Sequence, residues 1–144
     1  MTQSFKQSLY ALLLVMFALL VAKQAISQGN NKFKISCVLQ KDGQVTNSNN
    51  FIIKIINTVE NTEEQFTTSK TFDHTLAYNN YYKIVIYSDG CITKYITIDT
   101  NADIKENYKY RFVVNLKSDE IEQMIYAGGI YYNENINNFD YFLK

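Results

Sequence analysis

Apolar and polar residues alternate along most of the chain, most clearly from Tyr81 to Thr100 (YYKIVIYSDGCITKYITIDT). Tyr82, Ile84 and Ile86 share one face, and Tyr81, Lys83, Val85 and Tyr87 share the other. Ser88-Asp89-Gly90 interrupts the run, and Ile92, Ile96 and Ile98 resume the apolar face beyond it. Successive side chains of a strand point to opposite faces, so period two broken by Asp-Gly predicts a β-hairpin. The β-branched and aromatic residues of both arms suit a pleated surface.

The rest of the chain offers this hairpin partners. Lys32–Leu39 alternates with Phe33, Ile35, Cys37 and Leu39 on one face, and Lys41-Asp42-Gly43-Gln44 turns it. Phe51–Ile56 is apolar except for Lys54 and predicts a second strand. Asn57–Glu64 reads as a polar connection, and Gln65–Leu76 has room for two short strands with Phe66, Phe72 and Leu76 inward. After a polar loop, Tyr108, Tyr110, Phe112, Val114 and Leu116 alternate with Lys109, Arg111 and Asn115. Gln123–Tyr126 and Ile130–Tyr132 flank Ala127-Gly128-Gly129, and Phe139-Asp140-Tyr141-Phe142 closes the pattern. No stretch beyond residue 27 carries a 3.6-residue apolar period. Short strands separated by turn residues predict an all-β fold, a single small antiparallel β-sandwich of about seven strands. With no Pro and 5 Gly, the turns must rely on Asn and Asp, which tolerate left-handed backbone.

The N-terminus departs from this pattern. Lys6 precedes the uninterrupted apolar run Leu9–Ala22 (LYALLLVMFALLVA), and Ala25 and Ser27 place small residues where a signal peptidase reads. A bilayer needs ~20 apolar residues, and this run is shorter. The reading is a helical, cleavable signal peptide over residues 1–27 and a β-sandwich domain over 28–144, with no stable membrane span after cleavage. The chain is then exported, to the periplasm, the outer membrane's surface or the exterior. Beyond residue 27 there are 12 basic and 14 acidic residues, a net charge of −2. Without a basic stripe, nucleic acid is not expected as a partner.

The order of these elements resembles the carboxypeptidase-regulatory-like, transthyretin-type sandwich of exported bacterial proteins. The motif that carries the resemblance is YKIVIYSDGCITKYITIDT, with its strand, Gly turn, Lys and Asp-Thr ending. The tail from Ile130-Tyr131-Tyr132 to Phe139-Asp140-Tyr141 is similar to a recurring end in such proteins. The resemblance implies an immunoglobulin/transthyretin-like sandwich with a non-catalytic envelope role, and it carries over no active-site residues. Cys37 stands where that family usually has Gly, and Cys91 where it usually has Tyr. Their joint departure in an exported chain suggests a disulfide, which would close a 54-residue loop and contribute ~4 kcal/mol in the chain-entropy picture. The parities conflict: Cys37 matches the inward set, whereas Cys91 matches Thr93, Tyr95 and Thr97 on the outward one. Two free thiols packed in the core are the alternative.

Candidate chemistry is sparse. His74, the sole histidine, lies next to Asp73, but no nucleophile-elbow glycines flank a serine. Asp99, Asn101, Asp103 and Glu106 have carboxylate and amide oxygens at near-calcium spacing. A calcium loop starting at Asp99 would need Gly and Glu where Ile104 and Tyr110 stand. No catalytic, metal or cofactor-binding residue is therefore assigned, and no cofactor is expected. Among the 12 tyrosines, Tyr81, Tyr87 and Tyr95 share the outward side of the hairpin and form a candidate contact surface. The sequence reading is a non-enzymatic envelope module whose partner is an unidentified envelope or secreted protein. The alternative is a carbohydrate-binding module that holds a glycan on those tyrosines.

Overall fold

The computed structural model describes residues 32–45, 47–48, 50–102, 106–119 and 123–143, so the expected signal segment over 1–27 lies outside the described residues. The strands, in chain order, are β1 (Phe33–Lys41), β2 (Phe51–Asn57), β3 (Thr62–Thr68), β4 (Thr71–Leu76), β5 (Tyr81–Tyr87), β6 (Thr93–Asp99), β7 (Tyr108–Leu116), β8 (Met124–Asn133) and β9 (Asn138–Phe142). They form a three-stranded sheet, β4-β1-β7, and a six-stranded sheet, β3-β2-β5-β6-β8-β9. The fold is an all-β sandwich, as the alternation predicts.

The core is built from the alternating positions. Phe33, Ile35, Cys37 and Leu39 of β1 are fully buried, as are Ile84 and Ile86 of β5 and Ile98 of β6. Each such aliphatic side chain stabilises the fold by ~1.5–3 kcal/mol relative to exposure. Four asparagine and aspartate residues take left-handed backbone at turns: Asp42, Asn61, Asn79 and Asn137. These residues take much of the turn role that glycine fills elsewhere, as the composition anticipates.

The structure departs from the expected sandwich in three respects. The sheets are mixed rather than antiparallel, because β1 runs parallel to β7 and β6 runs parallel to β8. Alternation marks which face of a strand is buried, whereas its neighbour is set by crossovers that have no local signature. The described residues hold nine strands rather than about seven. One of these, β3, starts at Thr62 within the segment read as a polar connection. It is a sheet edge whose inward parity carries Glu64, Phe66 and Thr68, with Phe66 its one apolar residue, so it shows little apolar pattern. Finally, Ala127-Gly128-Gly129 does not separate two strands but lies inside β8.

On one side, Phe66 of β3 meets Phe72 and stacks on His74 of β4, with ring centroids 5.7 Å and 6.2 Å apart. At one end, Phe139 of β9 packs on Phe33 of β1 and Tyr108 of β7, at 4.3 Å and 5.1 Å. Buried polar side chains are satisfied there: Asn57 donates to Asn80 Oδ1 at 3.0 Å, and Thr100 Oγ1 donates to the Ala77 carbonyl at 2.8 Å.

Candidate binding groove

The larger sheet extends past the smaller one. β7 ends the three-stranded sheet, while β8 and β9 continue the other beyond β6. β7 starts against Phe139 of β9, and farther along it Phe112 and Val114 line a cavity with Ile96 of β6. The strand thus crosses the larger sheet obliquely, and no other described strand covers the first half of β8 and the end of β9. The result is an open groove of about 500 Å³. Tyr110 and Phe112 of β7 form one wall, and Ile125, Ala127 and Tyr141 of β8 and β9 form the other.

A β-bulge shapes the second wall. Tyr126 lies opposite Tyr95, but Gly128 lies opposite Ile96, so Ala127 is an extra residue in β8. Ile125 and Ile130 are five positions apart and would face opposite ways in a regular strand. The bulge puts both on the inward face, opposite Lys94 and Ile98. Ile130 is covered at 1 % exposure, while Ile125, at the groove, keeps 37 %. Gly128 has φ +131 and Tyr141 lies over it, with its hydroxyl donating to the Ala127 carbonyl. Phe142 lies in the same way over Gly129. The aromatic residues of β9 therefore cover backbone left bare by the glycines.

Lys94 has the inward parity of β6, opposite Ile86 and Ile125, and it lines the groove. Burial first, and the nearby Lys117 charge second, hold its ammonium below the usual lysine range. None of the ion pairs among the described residues includes it. An unpaired cation in an apolar, half-closed site favours an anionic group arriving with a ligand. Burial first, then Asp140 and Tyr141, push the Tyr110 phenol up, so the wall hydroxyls stay protonated donors.

The tyrosines singled out in the sequence lie on the outward face of the larger sheet, but only one joins a cluster. Tyr95 packs on Tyr126 at 5.2 Å, and Phe142 continues the row to Tyr131 at 5.3 Å. Lys83 lies 4.4 Å over the Tyr95 ring. Tyr81 lies opposite Asp99 and Tyr87 opposite Ile52, and no ring contact joins either to Tyr95 among the described residues. Periodicity within one hairpin could not find Tyr126, Tyr131 and Phe142, which arrive on other strands.

Cys37 and Cys91, which the sequence left between a disulfide and two free thiols, are both free and buried. Cys37 is level with Phe112 of β7, and Cys91 bridges Ser118, six residues farther along. At ~3.3 Å per residue that is a separation of about 20 Å, against the ~7 Å limit for bridgeable Cα atoms. Cys91 is nevertheless buried, because Gly90 takes φ +67 and resets the side chain's direction. Burial pushes the Cys37 thiol far above its ordinary range, which favours the protonated thiol over the thiolate. His74 lies 3.7 Å from Glu64 and stacks on Phe66, in a structural edge contact. Asp99 Oδ1 accepts from the Asn101 backbone and side chain at 2.9 Å and 2.7 Å, a local turn. Asp103 lies outside the described residues, and no three His, Cys, Asp or Glu side chains among those described converge on an ion site.

No protein-family model matches this chain, and no curated protein matches it. A crystal structure of S.CueP aligns with it at 13 % identity and a TM-score of 0.43, covering 62 % of this chain. The chain spans 64 % of that protein, and a likeness at this level carries no argument about ancestry or role.

Proposed function

We propose that this protein is an exported, non-enzymatic β-sandwich module of the bacterial cell envelope that acts through protein contacts made in the groove. The observation that carries the reading is the solvent-open apolar surface there. Leu143 is 76 % exposed and Ile125 37 %, both along one cavity, and Val113, 59 % exposed on the outward side of β7, borders it. Contiguous apolar exposure of this kind marks contact sites. Export rests on Lys6, the Leu9–Ala22 run and the small residues Ala25 and Ser27. The non-enzymatic part is supported by the contacts of His74 with Glu64 and Phe66 and by the raised Cys37 thiol. Kinship with the carboxypeptidase-regulatory-like, transthyretin-type family belongs to the same proposal.

The test places a photocrosslinking residue at Val113 in intact cells, with the same residue at Glu63 on the far edge as the control. A protein adduct of discrete mass from position 113 alone is expected. Equal labelling from both positions, or none from 113, refutes contact through the groove. N-terminal sequencing of the chain from those cells is expected to start at Gln28, and a retained Met1 would refute export by cleavage.

The second reading, a carbohydrate-binding module, draws on the outward row Tyr95, Tyr126, Phe142 and Tyr131. Its rings tilt by 45° to 74° from one another, so they form no flat platform for a sugar ring. Saturable glycan binding lost in Tyr126→Ala would favour this reading over protein contact.

A further inference from the structure

The sandwich has four strand edges. β3 carries Glu63, Glu64 and Gln65, β4 has six residues and β9 has five. β7, with nine residues, is the longest edge strand, and its charged residues Lys109 and Arg111 guard only its first half. The second half presents Val113 and Asn115 beside the groove.

The ladder with β1 determines which backbone groups remain available. Tyr108 N–H donates to the Lys32 carbonyl, and Asp42 N–H donates to the Leu116 carbonyl. In a parallel pair both groups of one residue point the same way, and alternate residues reverse. The even-numbered residues of β7 therefore bond β1. Lys109, Arg111, Val113 and Asn115 direct their N–H and C=O to the open edge, where no described strand pairs with them. That edge lies along the inner face of β8 and β9 that no described strand covers, and Lys94, in no ion pair among the described residues, stands in the space between.

We propose that the groove is a strand-addition site: an extended segment of a partner protein pairs with β7 and becomes the fourth strand of the smaller sheet. This rests on the protein-contact reading above and specifies its mode. The chemistry of the segment follows from the site. About seven residues match Lys109–Asn115, a span of roughly 20 Å. Apolar side chains at every second position pack on Ile125, Ala127 and Tyr141. A carboxylate among them reaches Lys94 and makes the charge-assisted contact that the groove lacks.

The probe is a labelled nine-residue peptide of alternating Val and Thr with a central Glu, measured against the full chain by fluorescence anisotropy. Two control peptides replace Glu by Gln or N-methylate the alternate amides. Saturable binding of the Glu peptide is expected, with the Gln peptide roughly tenfold weaker or more. That difference should vanish in Lys94→Met. Val113→Pro removes an edge-facing N–H without touching the β1 ladder, so it should abolish binding while the melting temperature holds. The N-methylated peptide tests the same hydrogen bonds without altering the protein, and it too should fail to bind. No saturable binding of the Glu peptide, or equal binding of the N-methylated one, overturns strand addition. A dimer dissociated by Val113→Pro would make a second copy the occupant and also overturn it. Crosslinks from position 113 in cells would survive either failure, so the broader contact reading stands or falls separately.

Discussion

Gly128 and Gly129 are adjacent residues of β8, yet alanine should act very differently at the two. At Gly128 the backbone has φ +131, which L-residues rarely adopt, and an added Cβ would overlap the Tyr141 ring. Holding a non-glycine residue in such a region costs ~1–3 kcal/mol. Overpacking against Tyr141, which is tied to the Ala127 carbonyl, adds ~1–3 kcal/mol. Gly128→Ala should therefore cost about 2–6 kcal/mol, or roughly 8–24 °C in a domain of this size. At Gly129 the Cβ would meet the Phe142 ring and the Tyr126 hydroxyl, both ends of side chains. Phe142 is 37 % exposed and can swing outward, so Gly129→Ala should cost under ~2 kcal/mol. Loss of glycine's unfolded-state freedom offsets part of that. Thermal unfolding followed by far-ultraviolet circular dichroism measures both variants. The double variants separate the two terms. Gly129→Ala with Phe142→Ala should lose only what Phe142→Ala loses alone. Gly128→Ala with Tyr141→Ala should still show the ~1–3 kcal/mol backbone term. Equal losses at the two glycines, or full relief of Gly128→Ala by Tyr141→Ala, would refute this account of the bulge.

Four further outcomes are expected. Ile86→Ala should cost ~2–5 kcal/mol in chemical unfolding, since Ile86 is fully buried. Thr97→Ala on the opposite face should cost under ~1.5 kcal/mol, for a single 3.2 Å contact with the Tyr126 hydroxyl. The Asp42 carboxyl accepts from the Ser118 side chain and backbone, which hold it below the usual carboxylate range. Its contribution is present above the unfolded-state value and is lost as pH falls through the lower folded one. Asp42→Asn should flatten that acid limb in a series of melts from neutral to acidic pH. Intact mass after alkylation without denaturant should show Cys37 unmodified, with both thiols labelled only after unfolding and without any reductant.

The buried face of nearly every strand can be read from its own residues. Period two is a local property, so Phe33, Ile35, Cys37 and Leu39, or Ile84 and Ile86, declare their side of a sheet without knowing its neighbours. The composition also pointed to Asn and Asp as turn residues, and Asp42, Asn61, Asn79 and Asn137 take left-handed backbone. Lys94 was not singled out in the sequence, because a search for apolar faces passes over a lysine that shares the parity of Ile96 and Ile98. Neighbours and edges belong to the tertiary structure. The parallel pairings of β7 and β8 follow crossovers that leave no mark in the residues they connect. Ile125 reaches the groove only because the bulge at Ala127 reverses the parity of β8. The groove is set by strand count, six in one sheet against three in the other. A strand's own residues do not specify how many others will lie beside it.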